Sequence, residues 1–334
     1  MNKTHLIIIV LLSAVLTSCW NSKTAYDPIK DKVTIHRFDR LVDEYVNNAS
    51  LSSKQQITMD YQRPTQILIE NVLMIGKVDD DNILQRLSSY YKDTTVVRLS
   101  KDINKKFQNL SELEISLSKA FYYIRKNIPT VKRPYIYTQN SALNESIIVE
   151  DSLIGISLDK YMGRDYSLYK QFYHDYQLVT MSPDRIKSDC LLYYLVGQTQ
   201  RPDYKDVKLL GMLMHYGKIV YIANKALKNE SLAKTMGYTE KEEKWLKDNE
   251  SRMWRHLQNT GELEQAYSHS MRNYMRPVSV TLFNGESPQM PGIWIGGRII
   301  EKYMSNNNDV KLKDLMYDSD YKTMFEKSGY MKFH

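Results

Sequence analysis

The sequence predicts an α+β fold that is mainly helical and contains one small β-sheet. Long stretches repeat apolar residues every three or four positions, which is the spacing of helices that bury one face. A few short segments instead alternate, or run apolar between turn residues, which is typical of strands. The sequence contains no internal repeat and no flexible linker, so we expect residues 33–334 to form a single globular domain.

Four segments have the pattern of strands. Val33–Phe38 alternates apolar and polar residues, and Tyr135–Thr138 follows about a hundred residues later. Two further segments, Ser146–Val149 and Leu153–Leu158, are separated only by Glu150–Ser152, which has the composition of a tight turn. We therefore expect these last two strands to pair as a hairpin.

Capping signals support several of the predicted helices. Ser182 followed by Pro183 is a typical helix start, and Thr239 with Glu242 three residues later forms a capping box. Pro129 is expected to end a long amphipathic helix. The predicted helices span about residues 39–47, 54–61, 64–74, 82–91, 102–128, 182–196, 239–260, 291–304, 312–316 and 321–327.

One further helix, predicted over residues 207–228, is the most apolar of the chain. Its apolar residues are not confined to a narrow stripe, so we expect a central helix that is covered on most sides. His215 and Lys218 are three residues apart and therefore share a face. Two interpretations of that face remain open: it is the solvated edge of a core helix, or it belongs to a functional site.

The N-terminus has the features of a lipoprotein signal peptide. A basic start is followed by the apolar run Leu6–Leu16, which is too short for a stable membrane span. It leads into Leu16-Thr17-Ser18-Cys19, which resembles a bacterial lipoprotein cleavage box, so residues 1–18 would be removed and Cys19 would carry the lipid anchor. A plain signal peptide or a short anchor is the alternative. Residues 19–32 are polar and are predicted to be a tether.

Composition excludes several classes of function. The formal net charge is +7 at pH 7, and its charges are interspersed without a basic stripe, so nucleic acid is not an expected partner. Cys19 and Cys190 are the two cysteines. With Cys19 lipidated, Cys190 has no partner for an internal disulfide and no cysteine-rich zinc site can form. We predict a buried thiol at Cys190 and no cofactor.

Three acidic residues are candidates for chemistry. Glu250 lies within the apolar stripe of its helix, where a carboxylate must pair, protonate or face a cavity. Two interpretations stay open: a position at the edge of the stripe, or a functional site in which Glu250 pairs with His215, Lys218 or an arginine such as Arg298. Asp159 and Asp165 follow a predicted buried strand on a polar loop, where Asp serves turns as often as function.

The usual catalytic motifs are absent from the sequence. It contains no His-Glu-x-x-His, no Gly-x-Ser-x-Gly and no Gly-x-x-x-x-Gly-Lys-Ser/Thr. The glycines of the segment 292–297 are instead expected to allow close packing of the helix that follows Pro291.

Several segments together resemble the GldB family, gliding-motility-associated lipoproteins of the Bacteroidetes. Their order and spacing cover nearly the whole mature chain, although no single motif is decisive. Besides the cleavage box, they are Thr34–Asp39, Ile156–Asp165, His215–Tyr221, Met236–Thr239, Trp245 with Asn249, Glu250 and Trp254, and Pro291–Ile300 before Tyr303 and Met304.

The resemblance implies a scaffold related to zincin-like metallopeptidases, with the helix 207–228 in the place of their zinc helix. A His-Glu-x-x-His would begin at His215, but Tyr216 stands in the Glu position and Ile219 in the second His position. Since zinc catalysis needs about three protein ligands and an activated water, we expect neither metal nor peptidase activity. The remnant cleft is predicted to be lined by His215, Tyr216, Lys218, Glu250, Asp159, Asp165 and Arg298.

The implied function is that of a non-catalytic binding or assembly component of the envelope, associated with gliding motility and secretion. Its expected partners are a membrane, through the lipid on Cys19, and another envelope protein or a peptide. Residues 20–23 lack the acidic residues usual in surface-exported lipoproteins of this phylum, which favours the outer membrane with the protein facing the periplasm. Two alternatives stay open: a zinc-dependent hydrolase with unusual ligands, and a glycan- or cell-wall-binding lipoprotein.

Overall fold

The computed structural model describes residues 26–200, 202–203, 207–266, 268–277, 282–285 and 287–330. The predicted signal peptide, Cys19 and the first part of the predicted tether lie outside the described residues. Within them the chain is mainly helical with one four-stranded sheet, which confirms the predicted α+β class.

The sheet is mixed, and its strands are β1 (Ile35–His36), β2 (Tyr135–Gln139), β3 (Ile147–Glu150) and β4 (Leu153–Ser157). Their spatial order is β1-β2-β4-β3. β1 and β4 run parallel to β2, whereas β3 pairs with β4 as the predicted antiparallel hairpin. β3 is therefore an edge strand added to a short parallel sheet.

Helices cover both faces of this sheet. Ile136 and Ile154 belong to the larger hydrophobic core on one face, and Tyr137 belongs to a smaller core on the other. The alternation follows from the period of two in a strand, which sends successive side chains to opposite faces. Because both faces are buried, the strand segments are more apolar than a sheet with one wet face requires.

The helices largely follow the predicted segments. Early in the chain they are α1 (Phe38–Asn48), α2 (Leu51–Gln55), α3 (Gln62–Gln66), α4 (Ile83–Tyr91), α5 (Thr94–Lys106) and α6 (Ser111–Asn127). Later they are α7 (Tyr169–Phe172), α8 (Asp175–Leu178), α9 (Ile186–Gln198), α10 (Leu209–Leu227), α11 (Leu232–Met236), α12 (Glu240–Asn259), α13 (Leu282–Gly285), α14 (Pro291–Asn306), α15 (Leu312–Tyr317) and α16 (Tyr321–Ser328). Two π-helical segments, Gln56–Asp60 and Ile67–Val72, extend α2 and α3.

The single long helix predicted over residues 102–128 is wrong. The structure has α5 and α6 instead, with a break around Phe107. Arg37 donates to the carbonyl of Phe107 at 2.6 Å, and the side chain of Asn109 accepts from the amide of Ser111 at 2.8 Å. These bonds satisfy backbone groups that a continuous helix would have paired internally, so tertiary contacts and local turn chemistry overrode the periodicity.

The helix predicted over residues 207–228 corresponds to α10, and its central position is confirmed. All residues of α10 are buried except Tyr216, Lys225 and Leu227. At about 100° of turn per residue its side chains divide into three faces. Leu213 and Gly217 form a crossing face, Gly211, His215 and Lys218 form a tail face, and Met212, Tyr216, Ile219 and Val220 form a cavity face.

The crossing face brings the backbones of α10 and α14 into direct contact. A Cβ atom on Gly296 would overlap the carbonyl oxygen of Leu213, and a Cβ atom on Gly217 would overlap the backbone of Gly296. This close approach is possible because Gly217 and Gly296 carry no side chains, while the side chain of Leu213 lies over Gly292. The prediction that the glycines of the segment 292–297 allow close packing is thus confirmed.

Gly296→Ala is expected to destabilise the fold by about 3 kcal/mol or more, because the new methyl group meets backbone atoms that cannot rotate away. The free energy of unfolding from urea denaturation measures this effect.

Gly197→Ala in α9 is the matched control. Its Cβ meets a methyl group of Val149 at 3.1 Å, which a small adjustment relieves. Alanine is favoured over glycine in a helix by about 1 kcal/mol, so this variant should be nearly neutral. If Gly296→Ala and Gly197→Ala lower the free energy of unfolding equally, the interpretation of a close helix crossing is wrong.

Candidate functional site

The tail face of α10 is covered by the C-terminal segment rather than by solvent. His215 is 1% exposed and its Nδ1 lies 3.0 Å from the hydroxyl of Tyr321. Lys218 is 2% exposed, donates from Nζ to the carbonyl of Asp318 at 2.7 Å, and lies 5.2 Å from the centre of the Tyr321 ring. Both polar side chains therefore hold α16 and the turn before it against the central helix.

Burial shifts the proton equilibria of both groups. Burial and, to a smaller extent, the neighbouring Lys218 charge together lower the pKa of His215 to about 4. Burial also lowers the pKa of Lys218 to about 8, and Asp318 opposes this shift. His215 is therefore neutral and Lys218 is mostly charged at pH 7.

This donor set does not fit a zinc site. His215 already contacts Tyr321 through Nδ1, and the ammonium group of Lys218 on the same face repels a cation. Nowhere in the described part of the chain do three or more His, Cys, Asp or Glu side chains form a group that could hold a metal ion. Zinc needs about three such ligands besides its water.

Glu250 is held in an ion-paired network between helices. Its Oε1 accepts from Nε of Arg298 at 3.1 Å and from the hydroxyl of Tyr330 at 2.8 Å. Arg298 also donates to Glu301 on its own helix at 2.7 Å. Of the three residues proposed as partners of Glu250, the structure pairs it with Arg298. The network ties α12 to α14 and to Tyr330, two residues beyond the end of α16.

The two aspartates of the predicted cleft have different roles. Asp159 is fully buried and accepts from the amides of Ser141 and Leu143 at 2.8 and 2.6 Å. Leu143 has a positive φ of 68°, so this carboxylate fixes a sharply turned loop. Burial raises the pKa of Asp159. Asp165 lies exposed on the surface.

Tyr216 lies on the cavity face of α10 and lines a cavity of about 710 Å³. None of the other six residues predicted for the cleft lines it. Tyr216 follows His215 directly, and one residue turns a helix by about 100°, so the two side chains leave α10 in different directions. The structure therefore does not bring the seven residues into one cleft.

The cavity is bounded by α9, α10 and several loops, and its charged residues are Lys160, Arg185, Asp189 and Arg276. Arg185 donates to Asp189 at 2.6 Å and to the carbonyl of Thr235 at 2.9 Å, and both members of this pair are buried. The Arg185–Asp189 pair has no net charge. The net positive charge of the lining therefore comes from Lys160 and Arg276.

Those two cations have no carboxylate within 4 Å among the residues that the structure describes. Nζ of Lys160 donates to the hydroxyl of Tyr173 at 2.7 Å and to the carbonyl of Leu143 at 3.2 Å, and burial lowers its pKa. Arg276 is exposed at the rim. The carboxylates of Asp159 and Glu145 raise the pKa of Lys160 and offset the effect of burial only in part. The cavity thus carries two positive charges that form no ion pair with a described carboxylate.

Sequence reasoning missed most of this lining. One signal was available, because Arg185 and Asp189 stand four residues apart just after the helix start at Ser182-Pro183, where such a pair meets. The approach of Lys160 and Arg276 to α9 and α10 left no comparable trace, since both lie in segments without regular periodicity.

The pH dependence of stability should report the buried ammonium of Lys218. Its folded pKa of about 8 lies below the unfolded value of about 10.4, so the unfolded chain binds more protons between these values. The free energy of unfolding of the protein minus that of Lys218→Met should therefore increase between about pH 8 and pH 10, by on the order of 1–2 kcal/mol.

Lys225→Met, which removes an exposed lysine from the same helix, is the control. Denaturant titrations of the protein, Lys218→Met and Lys225→Met between about pH 8 and pH 10 measure these free energies of unfolding. A flat difference between the protein and Lys218→Met would contradict the burial of the charge.

None of the helices in the described part of the chain combines the length and the hydropathy that a membrane span needs. A family model described as gliding motility protein GldB matches residues 20–332, which is nearly the whole chain. Comparisons with curated proteins and with solved structures gave no significant match. The match confirms the resemblance stated from the sequence segments, and the chain therefore belongs to the GldB family of gliding-motility lipoproteins.

Proposed function

We propose that this protein is a non-catalytic, lipid-anchored envelope lipoprotein that binds a partner in the cavity beside α10. The observation that carries the proposal is the division of α10 into faces. Its ionisable residues hold the C-terminal segment, whereas Met212, Tyr216, Ile219 and Val220 line an accessible cavity of about 710 Å³. Cavities that bind ligands typically have volumes of about 300–1,000 Å³.

The groups around the cavity favour binding over catalysis. A general acid or base needs a titratable group that is free to exchange a proton with a substrate. Asp189 is held by Arg185 and also accepts from the hydroxyl of Tyr161 at 3.0 Å. The pKa of Tyr173 is raised by burial, so this phenol stays protonated at neutral pH. Such groups position a ligand more readily than they transform one.

The cellular setting follows from the family and from the N-terminal sequence. Lipidation of Cys19 would fix the protein to a membrane, and the lack of acidic residues in Trp20-Asn21-Ser22-Lys23 supports an outer-membrane anchor that faces the periplasm. The partner would then be another envelope protein or a peptide of that compartment. Descent of the fold from a zincin-like scaffold stays a prediction.

Metal content separates this proposal from a zinc-dependent hydrolase. The Cys19→Ser protein, residues 19–334, is purified without metal-affinity steps, and its zinc is measured by mass spectrometry. We expect far less than one equivalent, and no rise in melting temperature on adding zinc. His215→Ala should lower the free energy of unfolding by about 2 kcal/mol, because it removes the Tyr321 contact and leaves a void.

His256→Ala, which removes an exposed histidine on α12, controls for adventitious zinc. Zinc near one equivalent that is lost in His215→Ala and kept in His256→Ala would overturn the non-catalytic proposal.

Site-specific crosslinking in cells tests the binding role itself. A photo-reactive residue at Tyr193, which lies 49% exposed at the cavity, should capture a discrete envelope protein or peptide. The same residue at the exposed position Lys313 should not. Capture of peptidoglycan instead would favour the glycan-binding alternative.

A further inference from the structure

The floor of the cavity is aliphatic and rich in methionine. Met212 and Ile219 of α10 lie there, 2% exposed each, and the remaining methionines of the lining are Met181, Met275 and Met290. Methionine side chains are flexible and polarisable, so they adapt to apolar groups of different shapes. Such a floor suits an apolar side chain that enters as an anchor.

The charged groups of the lining are complementary to an anionic ligand. Arg185 and Asp189 neutralise each other, while Lys160 and Arg276 form no ion pair with a described carboxylate. Asp159 and Glu145 offset part of the cost of burying the Lys160 charge. The buried Nε of Arg185 also lacks a described hydrogen-bond partner. A carboxylate brought into the cavity would therefore meet Arg276 and the partly offset charge of Lys160 without displacing an existing ion pair.

The polar side chains of the lining distinguish between classes of amphipathic ligand. Ser146, Gln177 and Thr180 lie among the apolar residues. The side-chain oxygen of Gln177 accepts from the amide of His174, and the hydroxyl of Thr180 donates to the carbonyl of Gln177, so the amide nitrogen of Gln177 and the hydroxyl oxygen of Thr180 can bond a peptide. An acyl chain offers them no donor or acceptor. A sugar would place hydroxyl groups against the methionine floor, where an unpaired hydroxyl costs about 1–3 kcal/mol.

We infer that the cavity between α9 and α10 binds an acidic peptide segment, with an apolar side chain on the methionine floor and a carboxylate at Lys160 and Arg276. This inference rests on the proposed function and specifies its ligand. The peptide belongs to a partner protein, and the cavity accommodates only a short stretch of it.

A random-peptide phage library panned against the Cys19→Ser protein provides the probe. Enriched peptides are synthesised with a fluorophore, and their Kd is measured by anisotropy. We expect sequences with Asp or Glu close to Leu, Ile, Met or Phe. The double reversal Lys160→Glu/Arg276→Glu should weaken binding at least tenfold, and added salt should weaken binding to the unmodified cavity.

Lys241→Glu/Lys313→Glu is the matched control, because it changes the net charge equally at exposed sites outside the cavity lining. It should leave the Kd within about twofold. Leu192→Gln, at a half-buried position of the lining, should weaken binding without lowering the melting temperature by more than a few degrees.

The outcomes separate this inference from the proposed function. Enriched peptides without acidic bias, or a Kd that both double reversals change equally, would overturn the acidic-peptide assignment and leave a binding role intact. No enrichment, together with binding of soluble peptidoglycan fragments or of lauric acid, would overturn it in favour of those ligands. Stoichiometric zinc bound through His215 would overturn the proposed function as well.

Discussion

The contact between the backbones of α10 and α14 is the constraint on which the rest of this structure depends. Gly217 and Gly296 have no side chains to hold the helices apart, so the two helices meet at their main chains. Tight crossings of this kind fix the rotation of each helix about its own axis, because a side chain in place of either glycine would not fit. Once α10 cannot rotate, the directions of its other two faces are set.

The chain that follows α14 then determines what the tail face does. α15 and α16 return along α10, and Asp318 and Tyr321 cover Lys218 and His215. A buried lysine on a carbonyl oxygen is an expensive arrangement, since the ammonium has lost most of its water. It persists because the carbonyl, the Tyr321 ring and the nearby Asp318 charge offset part of that loss. Polar residues on a central helix can thus have a structural role, in which they bind the C-terminal segment of the same chain.

The charged residues of the helix contacts and of the cavity fall into two groups. Glu250 with Arg298, and Asp189 with Arg185, are paired across or along helices, and removal of one partner would leave an uncompensated charge. Lys160, which is half-buried, and Arg276, which is exposed, stand at the cavity and form no ion pair with a described carboxylate. The fold alone explains the pairing of the first group, whereas the second group would gain an ion-pair partner from an anionic ligand, which is why we place the proposed ligand in this cavity.

The sequence by itself determined the family, the α+β class, the central helix and the role of the glycines after Pro291. Each of these depends on local order along the chain: periodicity, capping residues and the succession of family segments. It also indicated that Glu250 must find a partner, and named Arg298 among the candidates.

Only the tertiary structure decided what covers each face of the central helix and where the candidate site lies. His215 meets Tyr321 more than a hundred residues later, and the cavity draws its lining from segments that are scattered along the chain. Periodicity shows which residues share a face of α10, but not whether solvent, a tail or a cavity covers that face. The same limit explains the break near Phe107. Arg37 and Arg40, at the start of α1, donate to the backbone carbonyl of Phe107, which the apolar periodicity had assigned to a continuous helix. Such contacts join residues distant in sequence, and no local pattern encodes them.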